Sequence, residues 1–144
     1  MDFNRFLSTG DAMHAGPLGV LSLFVGSALW ELVHDGPFPG DTAADRLDAL
    51  WGQILLEYDV QKPRNRIQHL HFSMFDHGAN AWSCFTGKAG ECLGLLYVLN
   101  SICRDFSIGS LRDRHRIACF TSICFNFDQI KAIDVKIPRA VALR

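Results

Sequence analysis

No sign of charge dominates this chain. Its 14 lysines and arginines stand against 15 aspartates and glutamates, a formal charge of -1. Such a chain projects no global field toward nucleic acid, so any basic contact has to come from local clusters. Long hydrophobic runs are missing too. Ala15 to Trp30 carries no charge, but it is 16 residues long where a spanning helix needs roughly 20. Gly16, Pro17, Gly19 and Gly26 interrupt it. The expectation is a buried helix and no membrane span. A signal peptide is not expected either, because Asp2 and Asp11 sit where a basic segment should be.

The five cysteines, Cys84, Cys92, Cys103, Cys119 and Cys124, are odd in number and show no C-x-x-C spacing. Four fall among apolar residues on predicted helices. They read as buried, reduced thiols of an intracellular (cytoplasmic or nuclear) protein rather than a disulfide scaffold.

Catalytic motifs are equally scarce. Thr86-Gly87-Lys88 opens a helix as the end of a phosphate loop would. However, Trp82 replaces the first required glycine and Ala89 the hydroxyl residue that would bind Mg²⁺. There is no G-x-S-x-G elbow. Asp41, Asp45 and Asp48 gather at a helix start, where favouring the helix dipole is role enough. The chain is read as no enzyme, and no cofactor is expected.

What the chain does have is helical periodicity. It holds 144 residues and is 49% hydrophobic, enough for one domain with one core and no metal or disulfide. Four helices are predicted. The first, Leu18 to His34, is apolar nearly all round, which implies a central position or contact with a partner; Asp35-Gly36-Pro37-Phe38-Pro39-Gly40 stops it. The second runs from about Thr42 to Tyr58. Thr42-x-x-Asp45 resembles a capping box, and Leu47, Leu50, Trp51, Ile54, Leu55 and Tyr58 form one face. The third covers Lys88 to Phe106, with Cys92, Leu95, Leu96, Leu99, Ile102, Cys103 and Phe106 inward. Gly90 and Gly94, four apart, offer close approach to another helix. The fourth starts at the Ser110-x-x-Asp113 capping pattern and continues to about Phe127, lined by Ile117, Phe120, Ile123, Cys124 and Phe127.

Between the second and third helices the period changes to two. Leu70, Phe72 and Met74 alternate with His69, His71 and Ser73, which predicts a short half-buried strand over Ile67 to Phe75. It would lie across the helices or pair with Val135–Ile137.

Two sets of polar residues are candidate sites. His69 and His71 would face one way on a strand and, with His77 or Cys84, could supply zinc ligands; the plainer reading is an exposed polar edge. Lys62, Arg64 and Arg66 cluster in a loop, and Arg112, Arg114, His115 and Arg116 in the first turns of the fourth helix. Phosphate contact is one reading. The other is solvated charge or pairing with Asp105, Asp113 or the acidic start of the second helix.

The succession Leu29-Trp30-Glu31-Leu32, Asp35-Gly36-Pro37-Phe38-Pro39-Gly40, Leu70-His71-Phe72-Ser73-Met74-Phe75, Lys88-Ala89-Gly90-Glu91, Val98-Leu99, Cys103-Arg104 and His115-Arg116 resembles a multi-copy, mobile-element-associated protein family of large algal protist genomes. The likeness runs from about Ser27 to Asp128. It implies an intracellular, helix-rich module, often one piece of a longer reading frame. It carries over no catalytic residue. Relatives have Ala where this chain has Gly90.

The expected fold is mainly α: a small bundle of about four helices with one short extended segment. It forms a single domain over residues 1–144, with 1–17 and 131–144 weakly ordered. The expected function is a non-enzymatic helical module for protein interaction or self-association, a mobile-element-derived fragment. The alternative is a nucleic-acid-binding accessory domain of a mobile element.

Overall fold

The computed structural model describes residues 19–78 and 81–132. The terminal segments expected to be weakly ordered lie mostly outside the described residues, as do Leu18 and the Val135–Ile137 pairing partner. The fold is a small bundle of four α-helices: α1 (Leu21–His34), α2 (Ala43–Gln61), α3 (Ala89–Asp105) and α4 (Leu111–Ala132).

α3 is the hub. It packs against each of the other three helices, and Cys92, Leu95, Leu96, Val98, Leu99, Ile102 and Cys103 are all buried on it. The first helix, expected to be central or in contact with a partner, packs against α2 and α3 and meets α4 where Phe24 tilts onto Phe120. α1 buries one side only, through Leu21, Val25, Ala28, Leu29, Leu32 and Val33. Leu47, Leu50, Ile54 and Tyr58 of α2 enter the core as the periodicity predicts, while Leu55 points outward. α4 closes the bundle with Phe120 and Cys124 buried and Ile117, Ile123 and Phe127 packed partly against them.

The helix starts are local chemistry. At α2 the Thr42 hydroxyl accepts from Asp45 N at 3.2 Å, and Thr42 N donates to the Asp45 carboxylate at 2.9 Å. This closes the expected capping box in spite of the short aspartate. At α4 Asp113 N donates to the Ser110 hydroxyl at 3.1 Å, and Ser110 N to Asp113 at 3.3 Å. Hydrogen bonds from the Thr42 side chain and backbone hold the Asp45 carboxyl below its ordinary 3.8. Partial burial pushes Asp113 up, but bonds from Ser110 and the Arg116 charge outweigh it and the net direction is down.

A depressed folded-state pKa stabilises the fold above the unfolded value and loses that contribution as pH falls through the folded one. The denaturation midpoint should therefore drop as pH is lowered from about 4 toward 2. The double variant Asp45→Asn, Asp113→Asn should be less stable at neutral pH and lose less on acidification. Parallel acid curves for variant and parent would contradict this.

The predicted strand is corrected. Among the described residues there is no strand. Phe72–Met74 forms one 3-10 turn, with Phe75 N and Asp76 N both donating to Phe72 O at 3.0 and 2.7 Å. Local bonds over three and four residues satisfy a backbone that has no neighbouring strand to pair with. The segment is anchored by Ile67, Leu70 and Phe75, all buried, so the alternation breaks at Phe75.

Three helix glycines admit a loop segment rather than another helix. Gly94 and Gly90 face Asn65 of the loop after α2, whose backbone oxygen and side chain would overlap any Cβ there. Gly26 of α1 lets residues 84–85 cross the helix. A Cβ at Gly26 would stand 2.5 Å from the Cys84 backbone, and Phe85 N donates to Ser22 O at 2.7 Å beside it.

Candidate functional site

The two basic clusters lie at opposite ends of α2. Arg46, near its start, donates to Val33 O at the end of α1 at 2.5 Å. Lys62 follows its last residue, about 24 Å of helix further on. The Arg112–Arg116 cluster belongs to the first end, because its arginines reach back to the last turn of α1. Arg112 meets Glu31 at 3.0 Å and Asp35 at 3.3 Å. Arg116, only 10% exposed, meets Glu31 at 3.1 Å and Asp113 at 3.4 Å.

Two arginines thus face three carboxylates, Glu31, Asp35 and Asp113. Positive charge at the start of α4 opposes that helix's dipole, but the same guanidinium groups lie at the C-terminal end of α1, where its dipole favours them. Of the expected structural partners Asp113 is used. Glu31 and Asp35 were not legible, since they lie some 80 residues away in sequence. Arg114 and His115 are exposed.

In the other cluster Arg66 is also engaged. It donates to Tyr58 O at 2.7 Å, pairs with Asp59 at 3.5 Å and lies 5.4 Å from the Tyr58 ring centre. Arg64 and Arg66 share an open cleft of about 800 Å³ with Lys88 and Glu91 at the start of α3. Lys62 is exposed and caps α2 in the left-handed conformation, φ 47°.

The histidines do not converge. His69 and His71 stack on each other at 4.3 Å, and Trp51 stacks on His69 at 5.5 Å. His77 lies instead beside Cys84, its Nε2 3.4 Å from the sulfur and 2.9 Å from the Cys84 carbonyl oxygen. Among the described residues no three His, Cys, Asp or Glu side chains form a metal-binding group. One His77 nitrogen thus faces both the Cys84 thiol and the Cys84 carbonyl, and in the tautomer that donates to the carbonyl it cannot accept a proton from the thiol. Burial pushes the Cys92 and Cys103 thiols up to about 12 and about 11, away from the nucleophilic thiolate form. Cys119, expected to be buried, is exposed.

What gathers unassigned chemistry is the outer side of α1. Val20, Leu23 and Trp30 are 69%, 46% and 36% exposed. With Ser27 they form a solvent-facing line over three turns without a charge. The line ends at an open cleft of about 710 Å³ between α1 and residues 76–78 and 81–83, lined by Trp30, His34, Asp76, Trp82 and two serines.

Each wall of this cleft has a local cause. Trp30 is fixed by stacking on His34 at 4.4 Å, one turn on. His34 Nε2 lies 3.3 Å from the Asp76 carboxylate. Gly78 N donates to the other Asp76 oxygen at 3.1 Å, an Asx-type turn that Gly78 permits with its φ of +85°. On the far side the Ser27 hydroxyl reaches Ser83 O at 3.4 Å. Trp82 stands 87% exposed.

Sequence reading did not single out this site. It gave the first helix a central position or contact with a partner without separating its two faces, and it took Trp82 only as a misfit in a phosphate loop. The spacing 20, 23, 27, 30 was the available signal, a second face on a helix whose first face already suffices for the core.

Among the described residues no helix is long and apolar enough to cross a membrane. No protein-family model, curated protein or solved structure matches the chain, so its functional reading rests on its own geometry.

Proposed function

We propose that the chain is a non-enzymatic, intracellular helical module that binds a protein partner through the outer side of α1. It is a module of the kind implied by the resemblance to a mobile-element-associated family. The observation that supports this is the uncharged line Val20, Leu23, Trp30 running into Trp82. A helix face exposed to water usually carries charge. Adjoining exposed apolar side chains, with tryptophan at their centre, have the composition of an interface core. The exposed Leu55, Leu56 and Val60 of α2 have Glu57 and Asp59 among them and no tryptophan at their centre.

The alternative, nucleic-acid contact, draws support from Arg64 and Lys88 sharing one cleft. It is weakened by the carboxylates that already hold Arg112 and Arg116.

The test is a matched pair of surface variants, Leu23→Glu on α1 and Leu56→Glu on α2, compared by sedimentation velocity for self-association and by co-purification for a second protein. Leu23→Glu should abolish the complex and leave the fold intact by circular dichroism, while Leu56→Glu keeps it. Loss with Leu56→Glu alone would overturn the assignment of the face.

A further inference from the structure

We infer that the cleft between Trp30 and Trp82 receives an alkylated ammonium group, carried on a lysine side chain of the protein partner. This rests on the proposed interaction through α1 and adds what the partner must present.

The chemistry of the walls selects the ligand. Two of the chain's three tryptophans line this one cleft. Indole is the best of the aromatic faces for a cation, through its quadrupole. Among the described residues of the wall the carboxylate of Asp76 is the only acidic group, and none is lysine or arginine. An anion would meet Asp76 with only His34, already turned toward that carboxylate, to offset it, which disfavours a phosphate or a carboxylate ligand. A purely apolar side chain would leave the Asp76–His34 pair, about 30% exposed on both sides, to be covered without a new partner.

A methylated ammonium suits both halves. Its methyl groups spread the charge and shed water easily against indole, and its charge is complementary to Asp76. Trp30 is held in place by His34, and Asp76 by His34 and Gly78 N. Two of the three recognition groups are thus pre-positioned, which lowers the ordering cost of binding. The volume, about 710 Å³, is of the size that holds a small ligand or a few side chains.

The experiment uses the full chain with indole nitrogens labelled by ¹⁵N. The probe is a short glycine–serine peptide carrying one trimethyllysine. Its control is the same peptide with the neutral tert-butyl analogue of that side chain. Trp51 packs elsewhere, against Tyr58 and His69, and serves as an internal reference. The indole N–H signals of Trp30 and Trp82 should shift with the charged peptide while that of Trp51 stays put.

The neutral peptide should bind about tenfold more weakly or not at all. Trp82→Ala, which removes an exposed side chain and leaves the core untouched, should weaken the charged peptide about tenfold. Asp76→Asn should weaken it and leave binding of the neutral peptide unchanged. Equal binding of the two peptides would overturn the inference, as would no shift at Trp30 and Trp82 or full binding by Trp82→Ala.

The two readings fail separately. If Leu23→Glu breaks the protein complex but the charged peptide does not bind, the interaction face stands and the ammonium falls. If the peptide binds but Leu23→Glu leaves the complex whole, the reverse holds.

Discussion

Leu96→Ala and Leu99→Ala should each cost about 2–5 kcal/mol of stability, through lost transfer energy plus the cavity left behind. Both side chains are fully buried on α3, which packs against all three other helices. The surroundings of a hub helix cannot collapse toward a void without moving three elements at once, which places these sites toward the upper part of the range. Urea denaturation with an unchanged slope and a shifted midpoint is the measurement. A loss well under 1 kcal/mol for both would mean that α3 is not the centre of the core.

Gly26→Ala should be destabilising by about 1–3 kcal/mol, although alanine is the better helix former by about 1 kcal/mol. The new Cβ would stand 2.5 Å from the Cys84 backbone. Backbone cannot rotate aside as a flexible side chain can, so residues 84–85 must lift off α1 and the bond from Phe85 N to Ser22 O must stretch. Gly52→Ala in α2 is the control. Nothing lies within 4 Å of its Cβ position, so propensity alone acts and the variant should gain up to about 1 kcal/mol. Thermal melts of the two variants should move in opposite directions. A shift upward for both would show that the crossing at Gly26 is loose.

The contrast between these glycines marks what periodicity can convey. A repeat of three and four residues shows which side of a helix is apolar, and it placed the inner faces of α2, α3 and α4 and both capping patterns. It carries no information about which apolar side faces which neighbour. α1 has two apolar sides, one against the core and one toward solvent, and a sequence window cannot tell them apart. The same limit applies to Gly90 and Gly94. Their spacing announces a close approach, but the approaching group is the Asn65 loop, brought there by the turn at Lys62 rather than by any helical pattern.

The alternation around His69 and His71 misled for a different reason. A period of two is also produced by a short irregular segment that plugs alternate side chains into a core, and strand pairing needs a partner that lies far away in sequence. The charge clusters show the long-range problem most plainly. Arg112 and Arg116 look unpaired within their own helix apart from Asp113. Their main partner, Glu31, lies on α1 and joins the start of α4 to the end of α1. The cleft likewise joins Trp30 to Trp82, 52 positions on, and none of the four residues that define its chemistry forms a motif.

The central claim is that the outer side of α1, with its cleft, is the working surface of this fold. Hydroxyl-radical footprinting of the protein alone and in its assembled state tests it most directly, since oxidation reports side-chain exposure residue by residue. The account predicts strong protection of Leu23, Trp30 and Trp82 in the assembly and unchanged reactivity at Leu55, Leu56, Val60 and Phe125. Protection of the α2 or α4 residues, with Leu23, Trp30 and Trp82 as reactive as before, would contradict it.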